Sequence, residues 1–262
     1  MFENLRKLPK YRGLIQSLVA RDVKARYRGS ILGFFWSFFN PLLLLLVYTF
    51  VFSYVMPPPA NIPNYALFLF CGLLPWTWFS ASLVESSNVL ISGGNLIKKV
   101  MFPAEILPIV TVLSNLVHFL FGLPILVAFL VYFEAPLQAS ELLWFPVVVF
   151  VQLLMSIGFA LILSALTVHF RDIKDILSNV MTLWFFATPI IYRWDNPPPN
   201  IQRYLNLNPF SHIAISYQEI LYFDGPFGNA RWMVALGISS VLLFLFGYFL
   251  FDRLRDSFAE EV

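Results

Sequence analysis

Apolar residues along this chain fall in blocks, not at alternating or core-facing intervals. Six stretches approach the roughly 20 consecutive apolar residues that a helix needs to cross ~30 Å of hydrocarbon. They are Ile31 to Met56, Tyr65 to Ile91, Leu107 to Phe133, Leu142 to Phe170, Ile176 to Tyr192 and Trp232 to Phe251. The pattern predicts an all-α integral membrane fold with six transmembrane helices. The fifth stretch is the shortest and carries Pro189 near its end, so it either crosses with little tilt or is continued by a re-entrant piece. Pro57, Pro58 and Pro59 stop the first stretch, and Pro197, Pro198 and Pro199 open the loop after the fifth as a stiff extended turn. Pro75, Pro108 and Pro124 sit inside apolar runs and are compatible with kinked helices packed in a bundle.

Composition agrees with a membrane domain and excludes a soluble one. The 262 residues are 59% hydrophobic and 12% charged, with a mean hydropathy of +0.74, far outside the range of ordinary soluble domains. The single cysteine, Cys71, lies inside an apolar run, which leaves no disulfide framework and no Cys/His metal pattern. The basic N-terminus lacks a short apolar core with a cleavage site, so it is expected to stay in the mature protein.

Charge sets the expected direction. Eight basic residues precede the first stretch, and Lys98, Lys99, Arg171, Lys174, Arg253 and Arg255 fall at every second connection, fourteen of the seventeen in all. Lys and Arg are retained on the cytoplasmic side, so both termini are expected there, in the cytoplasmic membrane. The division is a cytosolic amphipathic region at 1–30, a membrane domain at 31–252 and a cytosolic tail at 253–262.

Four segments carry more than topology requires. Ahead of the first span, Lys10, Arg21, Lys24 and Arg28 fall within a sector of about 60° on a helix, away from Tyr11, Ile15, Leu18 and Val19. This predicts a helix along the membrane surface, either a lipid anchor or a lever for a partner, with Gly29 and Gly33 allowing a sharp turn beyond it. Between the second and third spans, Leu96, Ile97, Val100 and Phe102 accompany Lys98 and Lys99. Such apolar side chains need a cover, either headgroups or a groove on another protein. His169, Arg171, Asp172, Lys174 and Asp175 form a mixed-charge junction in which Arg171 and Asp175 have the spacing to pair. Glu85 lies late in the second span, where a carboxylate near the midplane costs ~2.5 kcal/mol or more unless it faces protein, water or the interface.

His118 stands alone in the third span and reads first as a satisfied core residue. Trp36, Phe39, Tyr48, Trp184 and Tyr192 are candidates for ring faces that stack on sugars, the alternative being interface belts and bundle packing. The chain has no GxxxxGK[ST] loop, so nucleotide hydrolysis is not encoded here. It also lacks HExxH and GxSxG.

In order along the chain stand VARDVKARYRGSILG at 19–33, followed by Trp36 and Asn40-Pro41; NLIKKVMFP at 95–103; RDI at 171–173; ATPIIY at 187–192; and NPF at 208–210. Over essentially its full length the chain resembles the transmembrane subunits of type-2 ABC exporters, closest to the permeases for polysaccharides, O-antigens and teichoic acids. The resemblance implies a homodimer working with two copies of a separate ABC ATPase. ATP and Mg sit on that partner, and this chain binds no cofactor or metal. The substrate it implies is a lipid-linked glycan. Asn95, Leu96, Ile97, Lys98, Lys99, Val100, Phe102 and Pro103, within a segment spanning 93–104, become the coupling helix that enters the ATPase. Arg21, Asp22, Arg26 and Tyr27 become part of a gate helix, beside the cytosolic turn of Arg171 and Asp172. The outer region 194–231 is expected to fold back as short re-entrant helices, and Trp36, Phe39, Tyr48, Glu85, Trp184 and Tyr192 to line a passage. The same scaffold also serves exporters of drugs or other lipids. A membrane-embedded transferase would have to use Glu85 and His118.

Overall fold

The computed structural model describes residues 8–29, 33–51, 55, 62–94, 98 and 102–258. Among them there are helices and turns and no strand. Helix α1 is Arg12–Tyr27, α2 Trp36–Phe50, α3 Tyr65–Ser92, α4 Ile106–Tyr132, α5 Trp144–His169, α6 Ile173–Phe186, α7 Pro199–Leu205, α8 Pro209–Leu221 and α9 Ala230–Leu254.

Four helical segments are long and apolar enough to cross a membrane: Tyr65–Ser92, Ile106–Tyr132, Ala139–His169 and Ala230–Ser257. The other two expected spans form shorter helices in the described residues. α2 has 15 residues, and Pro57, Pro58 and Pro59, the expected stop, lie outside the described residues. α6 has 14 residues and ends at Phe186, which at 1.5 Å per residue gives about 21 Å. It stops early because Thr188 returns its hydroxyl to the Trp184 carbonyl (2.7 Å) and Pro189 has no N–H to continue the ladder.

α3 is the centre of the bundle, most of its residues being buried between α4 and α5. A helix apolar all round belongs there. Side-chain bonds tie it to both neighbours: its Pro75 carbonyl accepts from Gln152 Nε2 of α5 (2.9 Å), and its Trp78 Nε1 donates to the Val112 carbonyl of α4 (3.3 Å). α5 and α9 form the most extensive pairing, and small residues make it. A Cβ on Gly247 would lie 2.6 Å from the Gly158 carbonyl oxygen, and one on Gly158 would lie 2.9 Å from Phe244 N. Against lipid, helices gain little by hiding apolar area and associate through such close contact. Gly247→Val is therefore expected to destabilise the fold by about 1–3 kcal/mol, read as a lower unfolding midpoint in detergent. Gly237→Ala should leave the midpoint unchanged, because its Cβ would meet only Val151 Cγ2 at 3.7 Å.

α8 is the deepest short element. Phe210, Ile213, Ala214 and Tyr217 are fully enclosed, and the helix packs on α3, α5 and α9. Asn208 caps it, accepting from Phe210 N (3.0 Å) and from Trp184 Nε1 (2.7 Å) while donating to Ala187 O and Thr188 Oγ1. At the other side Asn229 donates to His212 O and Ser216 Oγ. A short apolar helix is thus held at its N-terminus by Asn208 and along its first two turns by Asn229.

The first part of the expected cytosolic tail packs on the bundle. Phe258 is 1% exposed in a cluster with Ala104, Leu107, Val168 and Phe251, and the Ser257 hydroxyl meets His169 Nε2 at 3.2 Å. Arg255 approaches the buried Glu105 carboxylate at 3.7 Å.

Candidate functional site

The chain leaves α1 abruptly. Arg28 is extended, with ψ 124°, and Gly29 and Gly33 adopt φ of +83° and +48°, a region that favours glycine. This sharp exit aims the last two residues of α1 inward. Arg26 Nη2 reaches Glu85 Oε2 at 2.7 Å and Oε1 at 2.9 Å. Asn115 Nδ2 donates to the same Oε2 (2.8 Å), and Asn115 Oδ1 receives Arg26 Nη1 at 3.4 Å. Beside this triangle, Tyr27 and His118 join through the phenol oxygen and Nδ1 at 2.8 Å, their rings in edge contact at 5.6 Å.

Asn115 and His118 stand at i and i+3, on one face of α4. Three elements therefore converge: the end of α1, α3 through Glu85, and α4 through Asn115 and His118. The Arg26 and Glu85 side chains remain 40% and 39% exposed, which keeps the pair breakable.

The rest of α1 follows α4. Leu18 is buried against Ile106 and Val110, Val23 and Lys24 lie near Leu113 to Leu120, and Arg26 and Tyr27 meet Asn115 and His118. Contacts advance in step along both helices, so α1 runs up the flank of α4. The basic sector is interrupted, since Lys10 belongs to the 3-10 turn Leu8–Tyr11 and not to α1. Arg21 pairs locally with Asp22 at 3.1 Å on the outside, leaving Arg26 and Tyr27 as the inward pair.

Of the expected coupling residues, Asn95, Leu96, Ile97, Lys99 and Val100 lie outside the described residues. Lys98 is exposed and Pro103 buried, its carbonyl accepting from Ile106 N (3.0 Å). Phe102 packs against both the Leu18 cluster and the Ala104–Leu107 cluster. It joins the end of that segment to α1. Arg171 and Asp172 are exposed in the turn before α6. Among the described residues Arg171 and Asp175 form no ion pair: α6 begins at Ile173, so Arg171 is not on the helix and the i, i+4 geometry does not arise.

The aromatic candidates are dispersed. Trp36 and Phe39 are exposed on α2 with ring centroids 6.4 Å apart. Tyr48 lies against Phe185 at 5.5 Å. Trp184 is held by Asn208 and packed edge-on to Phe79 at 5.3 Å, so its ring is already covered. Tyr192 returns its hydroxyl to Phe186 O at 3.3 Å. Trp36 alone of these lines the cavity of about 450 Å³ below Arg26 and Tyr27.

Asn115 was not singled out from the sequence, though an amide three residues before the intramembrane histidine was the available signal. Glu85 and His118, the two groups a transferase would need, are both engaged by the N-terminal helix.

The model of the ABC-2 type transporter family matches residues 13–222, a range that includes all but the first residue of α1, its polar junction and α8. The chain belongs to the ABC-2 type transporter family. Among known proteins this ABC-2 type chain is 42% identical to the O-antigen export system permease protein RfbA of Myxococcus xanthus, over 100% of both chains. It is 34% identical to the RfbA of Klebsiella pneumoniae over 94% of each. It is 22% identical to the polysialic acid transport protein KpsM of Escherichia coli, over 76% of this chain and 78% of the other.

Proposed function

We propose that the chain is the permease subunit of an ATP-driven exporter that moves a lipid-linked polysaccharide of the O-antigen, capsule or teichoic acid type across the cytoplasmic membrane. The observation that carries this reading is the full-length match, at 42% identity, to an O-antigen export permease. In this reading α2, α3, α4, α5, α6 and α9 make the six crossings, and both termini face the cytoplasm. The placement of fourteen of the seventeen basic residues supports that direction. Two copies of the chain enclose the passage, and two copies of an ABC ATPase hold ATP and Mg below it.

The contacts support an assignment of working parts. Asn95 to Pro103 enters the ATPase, and α1 lies next to it because Phe102 and Leu18 share one apolar cluster. A displacement of that segment on ATP binding then moves α1. The polar junction carries the movement to α3 and α4, since Arg26 and Tyr27 are held by Glu85, Asn115 and His118. A driving force of this kind acts only through contacts that differ between two states, and a half-exposed ion pair is suited to being made and broken. α8 and the turns around it would close the outer mouth as re-entrant pieces. A polar, repetitive glycan slides best past ring faces and hydroxyls, and the near absence of unpaired charge on the long helices agrees with this.

Deletion of the gene should abolish the surface glycan and leave lipid-linked glycan at the inner face of the cytoplasmic membrane, with restoration by the intact chain. Unchanged surface glycan in the deletion strain would remove the export reading.

A further inference from the structure

The end of the segment assigned above to the ATPase is held on two sides. Phe102 packs toward α1 through the Leu18 cluster. The residues after it turn the other way, toward the C-terminal end of the chain. There α9 tightens into the 3-10 turn Arg255–Ser257, and Arg255, Ser257 and Phe258 each reach a different partner.

Phe258 is buried in a cluster with Ala104 and Leu107 around the start of α4, Val168 near the end of α5 and Phe251 of α9. Its ring lies 5.1 Å from that of Phe251 and 6.4 Å from that of His169. Ser257 gives its proton to Leu254 O (2.7 Å), which leaves its oxygen to accept from His169 Nε2 at 3.2 Å. His169 is the last residue of α5, directly before the cytosolic turn of Arg171 and Asp172. Arg255 Nη1 faces Glu105 Oε2 at 3.7 Å. One short turn therefore touches the end of the first cytosolic connection and the start of the second.

The Glu105 carboxylate indicates that this turn does more than close the base of the bundle. Glu105 is 3% exposed, and its Oε2 accepts no hydrogen bond among the described residues. At 3.7 Å Arg255 offers charge but not a hydrogen bond. A carboxylate buried in this state adds little stability, and an apolar side chain of similar volume would serve the packing as well or better. What the pair supplies is a defined position, since Glu105 is matched only when Arg255 stands over it. Phe258 provides the apolar attachment, and Arg255 sets where it sits.

We infer that Arg255 to Phe258 form a bracket for energy coupling, with Arg255 and Phe258 as positioning residues. The bracket locks the Glu105 end of the ATPase-facing segment to the cytosolic turn after α5. A push on either connection then moves the cytosolic ends of α4, α5 and α9 as one body. Close-packed interiors transmit displacement with little give, whereas two separate loops would absorb it. The inference rests on the export function proposed above and adds a second route beside the one through α1.

The test returns variants to a strain lacking the gene and compares surface glycan, co-purified ATPase, and ATP hydrolysis by the complex in lipid nanodiscs. Arg255→Gln removes the charge from a side chain that is one third exposed. It should lower surface glycan about tenfold while ATPase association and hydrolysis are unchanged. Arg255→Lys should restore export, because the contact uses the charge and not the fork of a guanidinium. Phe258→Ala should likewise separate export from hydrolysis. Arg255→Gln combined with Glu105→Gln should export no less than Arg255→Gln alone, since both replacements remove the same pair.

Export left intact by both Arg255→Gln and Phe258→Ala would overturn the bracket. So would glycan, ATPase and hydrolysis falling in proportion, the result of a turn that only stabilises the fold. An additive loss in the double variant, or no recovery with Arg255→Lys, would overturn the role of the pair. In each of these cases the unaltered chain still restores surface glycan, whereas failure of the export reading shows as no restoration by that chain.

Discussion

Glu85→Ala is expected to reduce export of surface glycan by about tenfold or more while the ATPase remains bound. The carboxylate accepts two hydrogen bonds from Arg26 and one from Asn115, and it is the group that brings α1, α3 and α4 together. Hydrogen bonds to charged groups contribute roughly 1.5–3 kcal/mol, but both side chains are partly exposed, so the lower part of that range applies. A loss of about 1.4 kcal/mol shifts the balance of docked and undocked α1 tenfold. The variant should still insert and fold, because Leu18 and the apolar clusters are untouched. Arg26→Ala should have the same effect, and the double replacement should cost little more than either one, since both remove the same contact. Export that declines additively in the double variant would show that the two residues act separately.

Replacement of Lys98 and Phe102 together by alanine is expected to remove both export and ATPase association, again without preventing insertion. Lys98 is exposed and available to a partner, and Phe102 fixes the end of its segment to the Leu18 cluster. Truncating a packed phenylalanine to alanine commonly costs about 3 kcal/mol or more, which loosens the segment that presents Lys98. The resulting drop in co-purified ATPase should exceed about tenfold. The two sets of variants therefore separate on one gel: Glu85 and Arg26 keep the ATPase and lose transport, whereas Lys98 with Phe102 loses both. Normal association in the double alanine variant would remove the coupling role from this segment.

The long helices were legible because a largely apolar run of about 20 residues or more has few other uses, and α3, α4, α5 and α9 follow the expected stretches to within a few residues. The fifth stretch is the shortest, and α6 is shorter than its apolar run: it ends at Phe186, more than one turn before Tyr192, because Thr188 and Pro189 stop it. Hydropathy registers the apolar residues of the turn that follows but not its hydrogen bonds. The sharp exit from α1 could be read from Gly29 and Gly33, whose positive φ is a local property.

The polar junction was half legible. Glu85 and His118 stood out because a charge or an imidazole inside an apolar run needs a partner. Their partners lie 59 and 91 residues away in sequence, and no local period encodes such a pairing. Asn115 was missed for a related reason, since an amide costs less to bury than a carboxylate and attracts less notice. The docking of α1 along α4 and the folding of Phe258 into the bundle are likewise products of tertiary packing. A helical wheel gives the apolar side of α1 but not the helix that receives it.

The measurement that bears most directly on the central claim is a pull-down from membranes through a tag on this chain, followed by mass spectrometry and an assay of ATP hydrolysis. The account predicts an ATPase with a Walker loop in amounts equal to the chain, with hydrolysis stimulated by lipid-linked glycan. A chain that purifies without any ATPase, under conditions where surface glycan is being made, would contradict it.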